Sequence, residues 1–145
     1  MIKFTGFDII IGRLVDEETL IQIFSNLFSI SKERISIISD LSILLDDNQN
    51  PDIVCLYSPV YGDFLELLQI SCNLELNFSS EFEILTLLAD RFQTKCIISD
   101  DSFNPFAMWC AVPGNNKVEL VMLNPHKIDD NYYELLESEE ITHPG

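Results

Sequence analysis

The chain has 145 residues, 47% of them hydrophobic, and its 24 acidic residues outnumber 8 basic residues to give a net charge of −16. This apolar content excludes a disordered class, and the length predicts one domain over residues 1–145. A chain this acidic repels phosphate backbones and anionic lipid, which argues against direct nucleic-acid and membrane partners and favours a basic partner.

The first part of the chain predicts a strand, a helix and a second strand. Residues 4–15 are rich in β-branched and aromatic types, which favour strands. Asp16 then begins a helix, because its carboxylate can accept free N–H groups of the first turn. Residues 31–45 suit either structure, and we favour a strand at 34–39 before the polar loop of residues 46–51. The helix carries four apolar residues at helical spacing, namely Leu20, Ile23, Phe24 and Leu27.

The middle of the chain predicts a hairpin followed by a second helix. Two apolar strands, 53–57 and 64–72, are joined by a turn at Gly62 and Asp63. Ser80 and the residue three positions later form a capping box, so we expect a helix at about 80–93. One face of that helix carries four apolar residues, namely Phe82, Leu85, Ala89 and Phe92.

The last part of the chain predicts three strands and a short helix. The strands are expected at 95–99, 106–112 and 117–123, with a loop at 100–105, a turn at 113–116 and the helix at 129–136. The fold class is therefore α+β, with a single antiparallel-rich sheet packed against two main helices. Its element order is roughly β-α-β-β-β-α-β-β-β, with the short helix last.

Motifs of catalysis and of metal binding are missing from this sequence. The four cysteines form no CxxC pair and only two histidines are present, so we expect buried thiols and no metal site. No nucleophile elbow, phosphate-binding loop or dinucleotide fingerprint occurs, so we expect no cofactor and no enzymatic activity. Asp8 and Arg13 bracket the first apolar run too closely for a signal peptide, which predicts a cytoplasmic protein.

The acidic residues are concentrated in two parts of the chain. Ten lie between Arg34 and Arg91 and six lie after Lys127, with no basic residue in either stretch. Unpaired charge of one sign lowers the stability of the fold through self-repulsion, which favours a role for these acidic residues in partner binding. The alternative explanation for the acidic excess is solubility.

Three aspartate pairs in predicted loops are candidates for contact with a partner: Asp46-Asp47, Asp100-Asp101 and Asp129-Asp130. None has the calcium-loop pattern, and all would suit solvated turns. Three aromatic residues near Asp100-Asp101 would suit either the core or a binding hot spot; they are Phe103, Phe106 and Trp109. The predicted partner-binding residues are Asp46, Asp47, Asp52, Asp63, Asp100, Asp101, Phe103, Trp109, Asp129, Asp130, Glu134 and Glu137.

The order of features over the second half of the chain resembles a known class of proteins. The features are the Gly62-Asp63-Phe64 hairpin, the capped helix ending at Phe92, Cys96-Ile97-Ile98 running into Ser99-Asp100-Asp101, Asn104-Pro105-Phe106 with Trp109, and Leu123-Asn124-Pro125. This pattern resembles the small acidic immunity proteins that bacteria encode beside polymorphic or contact-dependent toxins. The resemblance implies a protein without catalytic residues that binds a cognate toxin domain, often a basic nuclease, and blocks its active site or substrate channel.

Three alternatives remain open at the level of sequence. Class I type III secretion chaperones are also small acidic α/β proteins, and their order of a helix followed by strands is similar to residues 16–99. A DNA mimic would use the same acidity with carboxylates spaced like phosphates. An enzyme with a carboxylate-only site is the third alternative. Because such chaperones are dimers and many immunity proteins are monomers, the chain is expected to be either a monomer or a homodimer.

Overall fold

The computed structural model describes residues 2–39, 51–99, 104–115, 117–125 and 131–136. Over these ranges the fold is α+β, which confirms the predicted class. A seven-stranded mixed sheet forms the centre, and two helices pack on one of its faces.

The elements follow one another in nearly the predicted order. They are β1 (Ile2–Ile11), α1 (Glu17–Phe28), a short 3-10 helix (Lys32–Arg34), β2 (Ile35–Ile38), β3 (Ile53–Pro59), β4 (Tyr61–Gly62), β5 (Glu66–Phe78), α2 (Glu81–Phe92), β6 (Cys96–Ser99), β7 (Ala107–Ala111), β8 (Glu119–Met122) and β9 (Tyr132–Tyr133). The sheet order is β2-β3-β5-β1-β6-β7-β8, and β4 pairs with β9 separately. Only the β2–β3 and β4–β9 pairs among these strands are parallel.

Both predicted helices are confirmed, together with the residues that begin them. The Asp16 carboxylate accepts the N–H of Thr19 at 2.8 Å, and the Ser80 hydroxyl accepts the N–H of Glu83 at 3.3 Å. The Glu83 carboxylate in turn accepts the N–H of Ser79 at 2.9 Å. These bonds satisfy N–H groups that have no partner within the helix, so they define where each helix starts.

The main core lies between the helices and the sheet. Because side chains alternate along a strand, every second residue of β1 and β5 points to the helices: Ile9, Ile11, Leu68 and Ile70. Phe24 of α1 contacts Phe92 of α2 edge to face, with 6.4 Å between ring centroids. Phe24 also stacks on Phe28 at 6.1 Å. Aromatic contacts therefore join the two helices above the central strands.

A smaller apolar cluster covers part of the opposite face of the sheet. Its buried members are Ile10, Val60, Phe64, Ile97, Met108, Cys110 and Leu123. Tyr133 and Leu135 pack against this cluster from outside. The chain from β4 and the chain around β9 thus form a second layer over one part of this face.

The predicted hairpin is confirmed, but its connection is longer than a simple turn. β3 and β5 are antiparallel neighbours, and β4 lies between them in sequence. Gly62 has φ +100° and approaches β9 so closely that an added Cβ would lie 2.5 Å from the carbonyl oxygen of Tyr133. Glycine is therefore required here by close backbone approach as well as by its dihedral angle.

The predicted helix at 129–136 is wrong over its described part, 131–136. This segment is extended: the N–H of Asn124 donates to the carbonyl oxygen of Glu134 at 2.7 Å, and that of Leu136 donates to Met122 at 2.9 Å. A helix this short is marginal in water, whereas the extended form pairs its backbone and places Tyr133 against the second cluster. Tertiary contacts therefore override the local preference.

Truncation of Phe24 tests the core that joins the helices. Phe24→Ala leaves a cavity beneath both helices, so we expect the free energy of unfolding to fall by about 3–5 kcal/mol in urea denaturation. Leu14→Ala is the control, because Leu14 is 61% exposed and its loss should change stability by less than about 0.5 kcal/mol. Equal effects of the two substitutions would contradict this description of the core.

Candidate functional site

Eight of the twelve predicted partner-binding residues lie outside the described residues. They are Asp46, Asp47, Asp100, Asp101, Phe103, Asp129, Asp130 and Glu137. The other four are Asp52, Asp63, Trp109 and Glu134, which the structure places at separate points on the sheet and its second layer.

Asp52 forms a bidentate ion pair with Arg34. Nε and Nη2 of the guanidinium donate to the two carboxylate oxygens at 3.1 and 3.0 Å. These hydrogen bonds lower the pKa of the Asp52 carboxyl and raise that of Arg34. The N–H of Asp52 also donates to the carbonyl oxygen of Arg34 at 2.8 Å. Asp52 thus fixes the start of the parallel β2–β3 pair, and partner binding by it stays a prediction.

Asp63 and Glu134 hold the second layer together. The Asp63 carboxylate accepts the N–H of Leu135 at 2.8 Å, and its own N–H donates to the carbonyl oxygen of Tyr133 at 2.8 Å. The Glu134 carboxylate accepts a bond from the side-chain amide of Asn124 at 2.9 Å. Both carboxylates therefore have structural bonds within the chain, and their contact with a partner stays a prediction.

Trp109 belongs both to the core and to the surface. It lies on β7, is half-buried and packs against the main core. Its ring meets Phe82 of α2 edge to face, with 4.8 Å between centroids. Leu120 of β8 lies directly across from Trp109 in the antiparallel pair, so the two side chains share one face of the sheet.

Phe82, Trp109 and Leu120 together form what we call the aromatic patch. Phe82 is 39% exposed and Leu120 is 50% exposed, so the patch presents apolar surface to solvent. The prediction that Phe82 lies with Leu85 and Phe92 on the core face is only partly correct, because Phe82 lies at the margin of that face. Contiguous exposed apolar surface is a feature of interaction sites.

A notch lies close to the aromatic patch, at the start of α2. It has a volume of about 210 Å³ and is lined by Phe7, Asp8, Glu81, Ile98 and Ser99. Glu81 is the residue before Phe82, and Ile98 pairs with Trp109 across β6 and β7. We call this feature the acidic notch, because two of the residues that line it, Asp8 and Glu81, are acidic.

Two carboxylates flank Phe82 of the aromatic patch. Glu81 and Glu83 lie in the first turn of α2 on either side of Phe82 in sequence, and both are exposed. An apolar centre with an acidic rim is suited to bind a surface that combines apolar and basic side chains. Sequence reasoning found Trp109 but missed Asp8, Phe82 and Leu120, although an aromatic residue between two glutamates was a usable signal for Phe82.

A second acidic groove lies at the start of α1. It has a volume of about 450 Å³ and is lined by Glu17, Glu18, Ile21, Lys32 and Glu33. The Tyr57 hydroxyl donates to Glu17 at 2.9 Å, which raises the pKa of Tyr57. Because Lys32 lies among its carboxylates, this groove is less purely acidic than the notch.

Three of the four cysteine thiols are poor nucleophiles. Cys55, Cys96 and Cys110 are buried, and burial raises the pKa of the Cys55 thiol to about 12. Burial likewise raises the pKa values of Cys96 and Cys110. A thiol is reactive as its thiolate, so these three side chains act as small apolar groups at neutral pH.

The described ranges contain neither a metal-binding cluster nor a membrane-spanning helix. No three His, Cys, Asp or Glu side chains among the described residues are placed to share a metal ion. Neither described helix has the length and apolar character needed to cross a bilayer.

Comparison of this chain with protein-family models, with curated proteins and with solved structures gave no match.

Glu66 is a buried carboxylate and provides a test of the electrostatics of the fold. It is 5% exposed and accepts the N–H of Val15 at 3.2 Å. Burial raises the pKa of Glu66 above its ordinary value of 4.5. The folded state therefore binds the proton of the Glu66 carboxyl more tightly than the unfolded chain does. Protonated Glu66 stabilises the fold at low pH, and this contribution to the free energy of unfolding is lost as the pH rises through the folded-state pKa.

Glu66→Gln keeps an acceptor for Val15 but cannot ionise. We expect the stability of the variant relative to the wild type to increase between about pH 4 and about pH 8, measured by urea denaturation at both pH values. Glu33→Gln, at an exposed position, is the control and should show a smaller change. If the stabilities of Glu66→Gln and the wild type changed in parallel with pH, the raised pKa of Glu66 would be contradicted.

Proposed function

We propose that this protein is a cytoplasmic immunity protein that binds a cognate bacterial toxin domain and neutralises it through acidic surface. The observation that carries the proposal is the net charge of −16 on 145 residues. Ten of the acidic side chains are exposed in the described part of the chain: Asp8, Asp16, Glu17, Glu18, Glu33, Asp63, Glu81, Glu83, Asp90 and Glu119. A field of this sign attracts a positively charged macromolecule.

A basic nuclease domain fits this charge well. Such a domain binds phosphate through Lys and Arg, and an acidic protein can occupy the same groove as a competitor for the nucleic acid. Electrostatic attraction would speed the encounter and disfavour acidic partners. The mechanism requires only complementary surfaces, and it involves no catalytic step by this chain.

The aromatic patch supports the same function from a second direction. Charge at the rim of an interface mainly sets the rate of association, whereas buried aromatic anchors slow dissociation. Phe82 and Trp109 stand beside carboxylates at the start of α2. Both contributions that a tight inhibitor needs are thus present on one side of the molecule.

The dependence of association on salt tests the proposed function. The toxin is expected to be the product of a gene adjacent to this one, and the association rate should fall by at least about tenfold between low and high salt because ions screen exposed charges. Surface plasmon resonance measures the rate, and co-expression should protect cells from the toxin.

Two outcomes would contradict the proposal. The first is association with the neighbouring protein at a rate that salt does not change, and the second is an absence of binding. Light scattering on the free protein adds a separate check, because an obligate dimer would favour the secretion-chaperone alternative over an immunity protein.

A further inference from the structure

We propose that the partner docks on the aromatic patch through a basic amphipathic segment. In this arrangement an apolar side chain of the partner covers Phe82 and Leu120, and an Arg or Lys side chain pairs with Glu81 at the acidic notch. The identity of the partner rests on the proposed function, whereas the docking site is defined by residues of this chain.

The apolar half of the site forms contiguous exposed surface among the described residues. Phe82 touches Trp109, and Trp109 lies opposite Leu120, so three large apolar side chains form one surface. Two of them are 39% and 50% exposed. Trp109 is also anchored in the main core, which fixes the ring before binding and reduces the entropy lost on docking. A rigid aromatic anchor with exposed neighbours is typical of a binding hot spot.

The charged half of the site selects a basic occupant. Glu81 is exposed at the start of α2, and it lines a notch of about 210 Å³ together with Phe7, Asp8, Ile98 and Ser99. Arginine carries five donors in a planar fork, and lysine carries three, so either can bond to the Glu81 carboxylate. Glu83 adds a second carboxylate beside Phe82 in the first turn of α2.

The groove at the start of α1 is the competing surface, and it differs in its charge. Lys32 lies among its carboxylates. A basic ligand would therefore meet a positive charge there. This groove supplies a matched control, since a charge reversal at Glu33 changes the net charge by the same amount as a reversal at Glu81.

The fluorescence of Trp109 reports directly on this site, because it is the only tryptophan in the chain. The probe is a synthetic peptide of alternating Arg and Leu, titrated into the full chain at low salt. We expect a saturable shift of the emission to shorter wavelength as the peptide covers the ring. A peptide with Glu in place of Arg should leave the emission unchanged.

Three variants locate the binding. Glu81→Lys should raise the Kd of the Arg-Leu peptide by at least about tenfold. Phe82→Ala should raise it by a similar factor, because each substitution removes one half of the site. Glu33→Lys should change the affinity by less than about twofold. All three positions are exposed, and circular dichroism verifies that each variant is folded.

The results separate the site from the function. Equal weakening by Glu81→Lys and Glu33→Lys, or no change in emission with the Arg-Leu peptide, would overturn the site. If the wild type binds the neighbouring toxin and Glu81→Lys and Phe82→Ala bind it equally well, the site is also wrong while the proposed function stands. If the peptide binds as expected but no toxin is neutralised, the site stands and the immunity function fails.

Discussion

The antiparallel pairing of β1 with β5 is the constraint on which the rest of the structure depends. These are the two longest strands, and they lie at the centre of the sheet. Their alternation directs Ile9 and Leu68 to one face, where both helices must pack. Two helices side by side cover only about 20 Å, whereas seven strands span about 29 Å. Side chains on the outermost strand can therefore remain exposed, as Leu120 does on β8.

The charge of the chain and its core have opposing effects on stability. Self-repulsion among the carboxylates disfavours the compact state, and burial of aliphatic and aromatic side chains offsets it. Phe24, Phe92 and Leu88 are essentially fully buried, so this contribution does not depend on the surface charge. A basic macromolecule that neutralises these carboxylates relieves their repulsion and so stabilises the folded chain, which connects the fold to the proposed function.

Local signals made much of the fold predictable, whereas contacts between distant residues did not. Asp16 and Ser80 cap their helices as predicted, and two apolar runs with a turn signal between them identified the β3–β5 hairpin. The β4–β9 pair was missed because it depends on Gly62 meeting Tyr133, which is distant in sequence. The exposure of Phe82 was missed because helical spacing defines a face but does not show where the sheet beneath it ends. The notch likewise forms only when β1, β6 and α2 meet.

The central claim is that a basic partner binds at the start of α2 and over β8. Hydrogen–deuterium exchange on the complex with the neighbouring toxin tests it most directly, because it maps the docking face without altering the protein. The account predicts slower exchange on binding for the first turn of α2, residues 81–84, and for the outer strand, residues 119–122. Slower exchange confined to residues 17–33, with those two segments unchanged, would contradict it.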